Sequence, residues 1–251
     1  MSRYLVKVAY SGENYSGFQR QPGKKTIQGE LEKTLSFLLG VETTIHASGR
    51  TDAGVHAVGQ RFCFDAKIVD PEELILAANR LLPEDIFLKE INRVADTFDA
   101  RRNCLGKTYQ YRFTVNQRDP LLTGKVMQLR RDDFRFEPFL QALSLFSGEH
   151  NFQNFTTKPE DKWGFVRTVK ILDVMRWENG NLINVIFGGN GFMRYQIRMM
   201  MGAAIKVGLG RLDMQVIRDA LEAKERSILP YKASAAGLCL LEVFYEKPAF
   251  L

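Results

Sequence analysis

Hydrophobic and polar positions alternate from the first residues: Tyr4, Val6, Val8 and Tyr10 share one face, predicting a strand over 3–10 that Ser11-Gly12 closes. After a Pro22-Gly23 turn the period becomes helical. Ile27, Leu31, Leu35, Leu38 and Leu39 form one stripe between Thr26, where the helix begins, and Gly40, which ends it. Short strands are expected at 43–48 and 60–67, the second alternating Phe62 and Phe64 with charge. Pro71-Glu72-Glu73 opens another helix, with proline at a tolerated first-turn position and acids at the positive end of the dipole; Pro83 stops it. A strand over 86–94 follows. This order of strand, helix, strand, strand, helix, strand is that of the split βαβ, ferredoxin-like unit.

After Asn103 the order partly recurs. Tyr109, Tyr111, Phe113 and Val115 alternate along a strand over 107–115, and 126–130 reads as a short edge strand. Residues 137–146 have helical spacing, while 166–177 and 182–187 form a hairpin about Asn179-Gly180-Asn181. Helices over 192–207 and 213–224 and a strand over 238–245 complete the pattern. No close repeat, low-complexity tract or Pro/Gly/Ser-rich linker interrupts it. The expected architecture is α+β: two ferredoxin-like halves joined around a mixed, mainly antiparallel central sheet, with helices on the outer face. The boundary falls within 96–106, giving an N-terminal domain over 1–100 and a C-terminal domain over 101–251.

Composition narrows the chemistry. The 251 residues are 45% hydrophobic and 25% charged, as in ordinary globular proteins, so disorder is not expected. No uncharged apolar run approaches the roughly 20 residues that cross a bilayer. The amino terminus carries charges inside its apolar run, unlike a signal peptide, and a cytoplasmic protein without a membrane partner is expected. Cys63, Cys104 and Cys239 are too scattered for a disulfide framework or a Cys-x-x-Cys pair, and Cys63, between two phenylalanines, reads as core filler. His46, His56 and His150 lack metal-ligand spacing, so no metal is expected. A net charge of +6 permits a polyanionic partner without requiring one.

The most informative segment is Ala47-Ser48-Gly49-Arg50-Thr51-Asp52-Ala53-Gly54-Val55-His56-Ala57, a loop between strands. Gly49 and Gly54 let the backbone bend around one carboxylate. Arg50, two residues away, favours the ionised form of Asp52, and Thr51 is able to bond its own turn. On these residues alone Asp52 is a nucleophile, a base or a turn former.

The same stretch matches, at every position from Gly49 to Ala57, the signature Gly-Arg-Thr-Asp-Ala-Gly-Val-His-Ala, and so resembles the tRNA pseudouridine synthase A family. Further features occur in order: Tyr15-Ser16-Gly17-Phe18-Gln19-Arg20-Gln21, Thr26-Ile27-Gln28-Gly29-Glu30-Leu31-Glu32, Lys107-Thr108-Tyr109-Gln110-Tyr111, the run from Gly191 to Arg198, and Ala235-Ala236-Gly237-Leu238-Cys239-Leu240. The resemblance implies that Asp52 is the catalytic aspartate and that Arg50 fills the gap left by a flipped nucleotide. It further implies that Tyr109 stacks on the target uracil and that Arg198 pairs with the aspartate. It also implies a homodimer, no cofactor, and uridines around positions 38 to 40 of the tRNA anticodon arm as substrate. The N-terminal domain then carries the catalytic loop and the C-terminal domain completes the cleft.

Phosphate contacts would come from basic clusters: Lys24-Lys25, Arg101-Arg102 with Lys107, Arg130-Arg131, and Arg194 with Arg198. Met199-Met200-Met201 reads as helix packing, and Gly188-Gly189-Asn190-Gly191 as a turn into a helix without phosphate-loop spacing. His150-Asn151-Phe152 reads as local structure. Three alternatives stand beside the synthase reading. One is a paralogue acting on another structured RNA, and another is a catalytically silent RNA-binding module of the same fold. The third, an aspartate-dependent hydrolase, calls for a metal cluster or second carboxylate that the loop does not offer.

Overall fold

A computed structural model describes residues 1–67, 69–115, 118–129, 131–158, 160, 164–177, 181–246 and 248–251. The strands among them are β1 (Ser2–Tyr10), β2 (His46–Ala47), β3 (His56–Ala66), β4 (Ile86–Val94), β5 (Gly106–Val115), β6 (Met127–Leu129), β7 (Gly148–Asn151), β8 (Val166–Trp177), β9 (Leu182–Gly189) and β10 (Leu238–Phe244). The α-helices are α1 (Ile27–Leu39), α2 (Pro71–Leu81), α3 (Phe136–Ser144), α4 (Gln196–Gly208) and α5 (Met214–Glu222). None is long and apolar enough to cross a membrane. The chain divides into two compact α+β units, the first comprising Met1–Leu105 and Cys239–Glu246, the second Gly106–Leu238 and Lys247–Leu251.

In the first unit the sheet runs β4-β1-β3-β2, with β1 antiparallel to both neighbours and β2 antiparallel to β3. That is the strand order of a split βαβ unit, as the element sequence predicts. β10 adds to β3 in parallel, through Cys239 opposite His56 and Leu240 opposite Ala57. Lys7 and Arg61 interleave with Glu90 and Glu242, and Lys7 Nζ lies 2.6 Å from Glu242, tying β10 to strands some two hundred residues away. Tyr4, Val6, Val8 and Tyr10 are buried on one face, as their alternation requires. On the other face Leu5, Cys63 and Ala100 form a small core closed by Val94, Phe98 and Tyr245. Cys63 is the core filler its setting suggests, and burial pushes its thiol up to about 11.

Both helices of this unit are capped by a side chain, α1 by the Thr26 that the pattern places at its start. The Thr26 hydroxyl accepts from the Gly29 N–H, and Asp70 accepts from the N–H groups of Glu72 and Glu73 ahead of Pro71.

In the second unit the sheet runs β5-β9-β8-β7, antiparallel throughout, with β6 parallel against β5. Ile183, Val185 and Phe187 are fully buried, as are Phe113 and Phe139, and Met199, Met200 and Met201 on α4 are buried too. β8 and β9 pair from Trp177 opposite Leu182, and the turn residues Asn179 and Gly180 lie outside the described residues, as does Arg130.

Two expectations are corrected. α4 begins at Gln196 rather than at 192, because Tyr195 adopts φ 65, a conformation an α-helix cannot contain. β3 begins at His56 rather than at 60, because pairing with β1 continues past a bulge to Tyr10 opposite Ala57. One strand, β7, has no clear signal in the sequence. His150 lies in it opposite Arg167, and its Nε2 is 3.1 Å from the Ser147 carbonyl, a local role.

Candidate active site

The Asp52 loop leaves β2 at Ala47 and enters β3 at His56, and buried side chains hold it from below. The Ser48 N–H donates to the Arg61 carbonyl at 2.8 Å, and its hydroxyl donates to Gln60 Oε1 at 2.7 Å. Gln60 Nε2 in turn donates to the Gly49 carbonyl at 3.0 Å. Thr51 is anchored twice. Its carbonyl accepts from the Phe18 N–H at 3.1 Å, and its hydroxyl lies 2.8 Å from the Tyr10 hydroxyl at the end of β1. Thr51 thus bonds a distant tyrosine rather than its own turn.

Burial pushes the Tyr10 phenol well above its ordinary pKa, against the opposing effect of hydrogen bonds with Thr51 and Gln60, so the anchor stays neutral at physiological pH. Asp52 then opens a four-residue turn in which the Val55 N–H reaches the Asp52 carbonyl at 3.1 Å. Gly54 takes φ 78 at the third position, where a type II turn requires a positive φ. Gly49, by contrast, contributes through its carbonyl.

The far side of the loop is closed by the segment after β1. A Cβ on Gly12 would sit 2.0 Å from the Val55 carbonyl oxygen, so only glycine allows this approach. The Gly12 N–H donates to His56 Nδ1 at 3.2 Å. Tyr15 hydrogen-bonds Asp85, and Lys25 Nζ lies 4.8 Å from the Tyr15 ring centre. Thr51 before the catalytic candidate and Val55 after it are therefore held, while Asp52 itself is half-buried and Arg50 exposed. A half-buried aspartate in a pinned loop is not sealed into the core.

Tyr109 and Arg198 belong to the second unit. Tyr109 stands on β5, half-buried, with its ring edge-on to Phe192 at 5.3 Å. Its strand neighbour Tyr111 is fully buried and donates from its hydroxyl to the Ser234 carbonyl at 2.8 Å. Arg198 lies in the first turn of α4, where its Nε donates to the Ala233 carbonyl at 2.9 Å. The structure therefore brings Arg50 and Asp52 together on one loop and places Tyr109 and Arg198 on separate elements of the other unit.

Sequence reasoning missed the residues that hold the loop, Tyr10, Phe18 and Gln60. Tyr10 was visible only as the last member of an alternating strand, and nothing local marked its hydroxyl. Of the basic clusters, Arg101 and Arg102 are exposed, with the Arg102 guanidinium 4.0 Å from Asp99.

A family model described as tRNA pseudouridine synthase matches residues 7–101 and 142–246. Arg50, Asp52 and Arg198 fall within these stretches, and Tyr109 falls between them. tRNA pseudouridine synthase A of Staphylococcus carnosus (strain TM300) is 34% identical over 244 residues, covering 96% of this chain and 90% of that protein. The protein of the same name from Streptococcus agalactiae serotype Ia is 34% identical over 249 residues, covering 98% of this chain and 96% of its own. Similarity of this extent, along nearly the whole of both chains, establishes that the chain belongs to the tRNA pseudouridine synthase family.

Proposed function

We propose that this chain isomerises uridine to pseudouridine in the anticodon stem-loop of tRNA, around positions 38, 39 and 40, with Asp52 as nucleophile or base. The observation that carries the reading is the Asp52 loop, whose neighbouring residues are pinned by Tyr10, Phe18 and Gln60 while Asp52 itself is only half-buried.

The reaction breaks the N1–C1′ bond, turns the uracil, and joins C5 to C1′. The C5 hydrogen leaves as a proton and N1 gains one, so atoms balance without an oxidant or a transferred group. A carboxylate starts this by attacking C6 or C1′, or by removing the 2′-hydrogen to give a glycal. The target base must leave its stack, at a cost of a few kcal/mol. Arg50 is exposed and able to occupy the vacancy. Tyr109 offers an aromatic face, worth about 1–3 kcal/mol per stacked base. Arg198 completes the substrate-binding set. The same reading takes the protein as a homodimer, and light scattering that returns the mass of a single chain would remove that part.

Unmodified tRNA tritiated at uracil C5 tests the proposal. The wild-type protein is expected to release tritium, and Asp52→Asn to release none while keeping its tRNA affinity within a few fold, roughly 1 kcal/mol at most. An active Asn variant overturns the role of Asp52. Binding without release by the wild-type protein points to a silent RNA-binding module.

A further inference from the structure

Tyr195 is the sole non-glycine with positive φ among the described residues, at φ 65 and ψ 0. A bulky residue in the left-handed region is an outlier, and such strain persists only where the surroundings enforce it, most often at functional sites. The enforcement is visible. Buried Gln196 accepts the Met193 N–H on its side-chain carbonyl at 2.9 Å, and the buried Thr156 hydroxyl donates to the Arg194 carbonyl at 2.9 Å. The Tyr195 carbonyl accepts from the Met199 N–H at 2.9 Å.

The ring so presented is surrounded by cations. The Lys232 ammonium lies 4.3 Å from its centre, the Arg194 guanidinium 4.7 Å and the Arg198 guanidinium 5.3 Å. Arg194 Nη2 also donates to the Tyr195 hydroxyl at 2.8 Å. Lys232 is brought here by a built contact. Its neighbour Ala233 and Arg198 exchange two hydrogen bonds of 2.9 Å, and Gly202 makes room, since a Cβ there would lie 2.8 Å from Tyr231 backbone atoms. Arg194 and Lys232 are exposed, and among the described residues neither forms an ion pair with a carboxylate. The like charges of Arg194 and Lys232 about one ring repel one another, and the negative face of the ring offsets this only in part. An anion removes the repulsion.

We propose that Arg194, Lys232 and Tyr195 form a binding site for one backbone phosphate of the substrate RNA. The proposal rests on the tRNA reading above and deepens it by joining Arg194 to Lys232 and the Tyr195 ring in one site for one phosphate. Cations supply charge, and the ring between them, its hydroxyl bonded to Arg194, fixes their spacing, a combination suited to a phosphodiester held in one register.

The test measures tRNA binding against salt for the wild-type protein, Arg194→Ala with Lys232→Ala, and Lys232→Arg. Losing one phosphate contact should flatten the slope of log K against log salt by about 0.7–0.9, so that wild-type and double-variant affinities converge about 2.6- to 3.5-fold between 50 and 200 mM salt. Lys232→Arg should keep the wild-type slope. A double variant with the wild-type slope overturns the site, whether its affinity and melting temperature are normal or uniformly lowered. Failure of the catalytic reading shows separately, as absent tritium release by the wild-type protein, and leaves the salt comparison intact.

Discussion

Tyr10→Phe isolates the contribution of the loop's buried anchor. The substitution keeps a ring that is 5% exposed and packs 6.1 Å from Phe18, and removes one oxygen. That oxygen is 2.8 Å from the Thr51 hydroxyl and 3.5 Å from Gln60 Nε2. Gln60 retains the Gly49 carbonyl and the Ser48 hydroxyl, so the deficit falls on Thr51, itself 8% exposed. Leaving one buried hydroxyl without its partner costs about 1–3 kcal/mol of stability. The effect on turnover has a different origin. Thr51 precedes Asp52 and keeps only its bond from the Phe18 N–H. A displacement of about 1 Å at a reacting group costs about a hundredfold, so losing one of two anchors should lower single-turnover tritium release by roughly 10- to 100-fold. Tyr4→Phe is the control. Tyr4 lies on the same strand and face, is 2% exposed, and accepts the Val69 N–H at 3.1 Å, remote from the loop. It should lose comparable stability in urea and keep its turnover. If both variants turn over equally, whether both normally or both slowly, the Tyr10 anchor does not position the carboxylate.

Tyr109→Phe keeps the stacking ring and should bind tRNA as the wild-type protein does, whereas Tyr109→Ala should lose about 1–3 kcal/mol, or roughly 5- to 150-fold in affinity. Equal binding by the two variants would exclude stacking. Alkaline pH supplies a test of the core. Burial raises the phenol pKa of Tyr10 and of Tyr111, in each case as the largest cause, with Arg198 acting in the opposite direction on Tyr111. The folded state thus favours the neutral phenol, and its stabilising contribution is complete below the unfolded pKa of about 10. Above that pH stability should fall, by up to about 1.4 kcal/mol per pH unit for each tyrosine, until the folded pKa is passed. Urea midpoints measured from about pH 9 to 11.5 check this, and a midpoint that stays level to pH 11 would contradict it.

Much of the chain was legible without coordinates because the deciding interactions are local. The alternation of Tyr4, Val6, Val8 and Tyr10 specifies both strand and buried face within one element. Thr26, Gly40 and Pro71 set helix ends through groups no more than three or four residues away. The Gly49-to-Ala57 signature carries the family resemblance that points to Asp52, and it is read without coordinates. What tertiary structure decided joins groups far apart in the chain. β10 enters the first unit through parallel pairing with β3 and through Glu242 bonded to Lys7, a partner 235 positions away, and no local pattern encodes that choice. The hold on Asp52 runs through Tyr10 and Gln60, whose side chains meet the loop only when three strands are in register. The late start of α4 followed a single backbone torsion at Tyr195, a residue that helical periodicity accepts and that hydrogen bonds of Gln196 and Thr156 with its neighbours hold out of the helix. Periodicity reads one element at a time, whereas these features depend on which elements pack together.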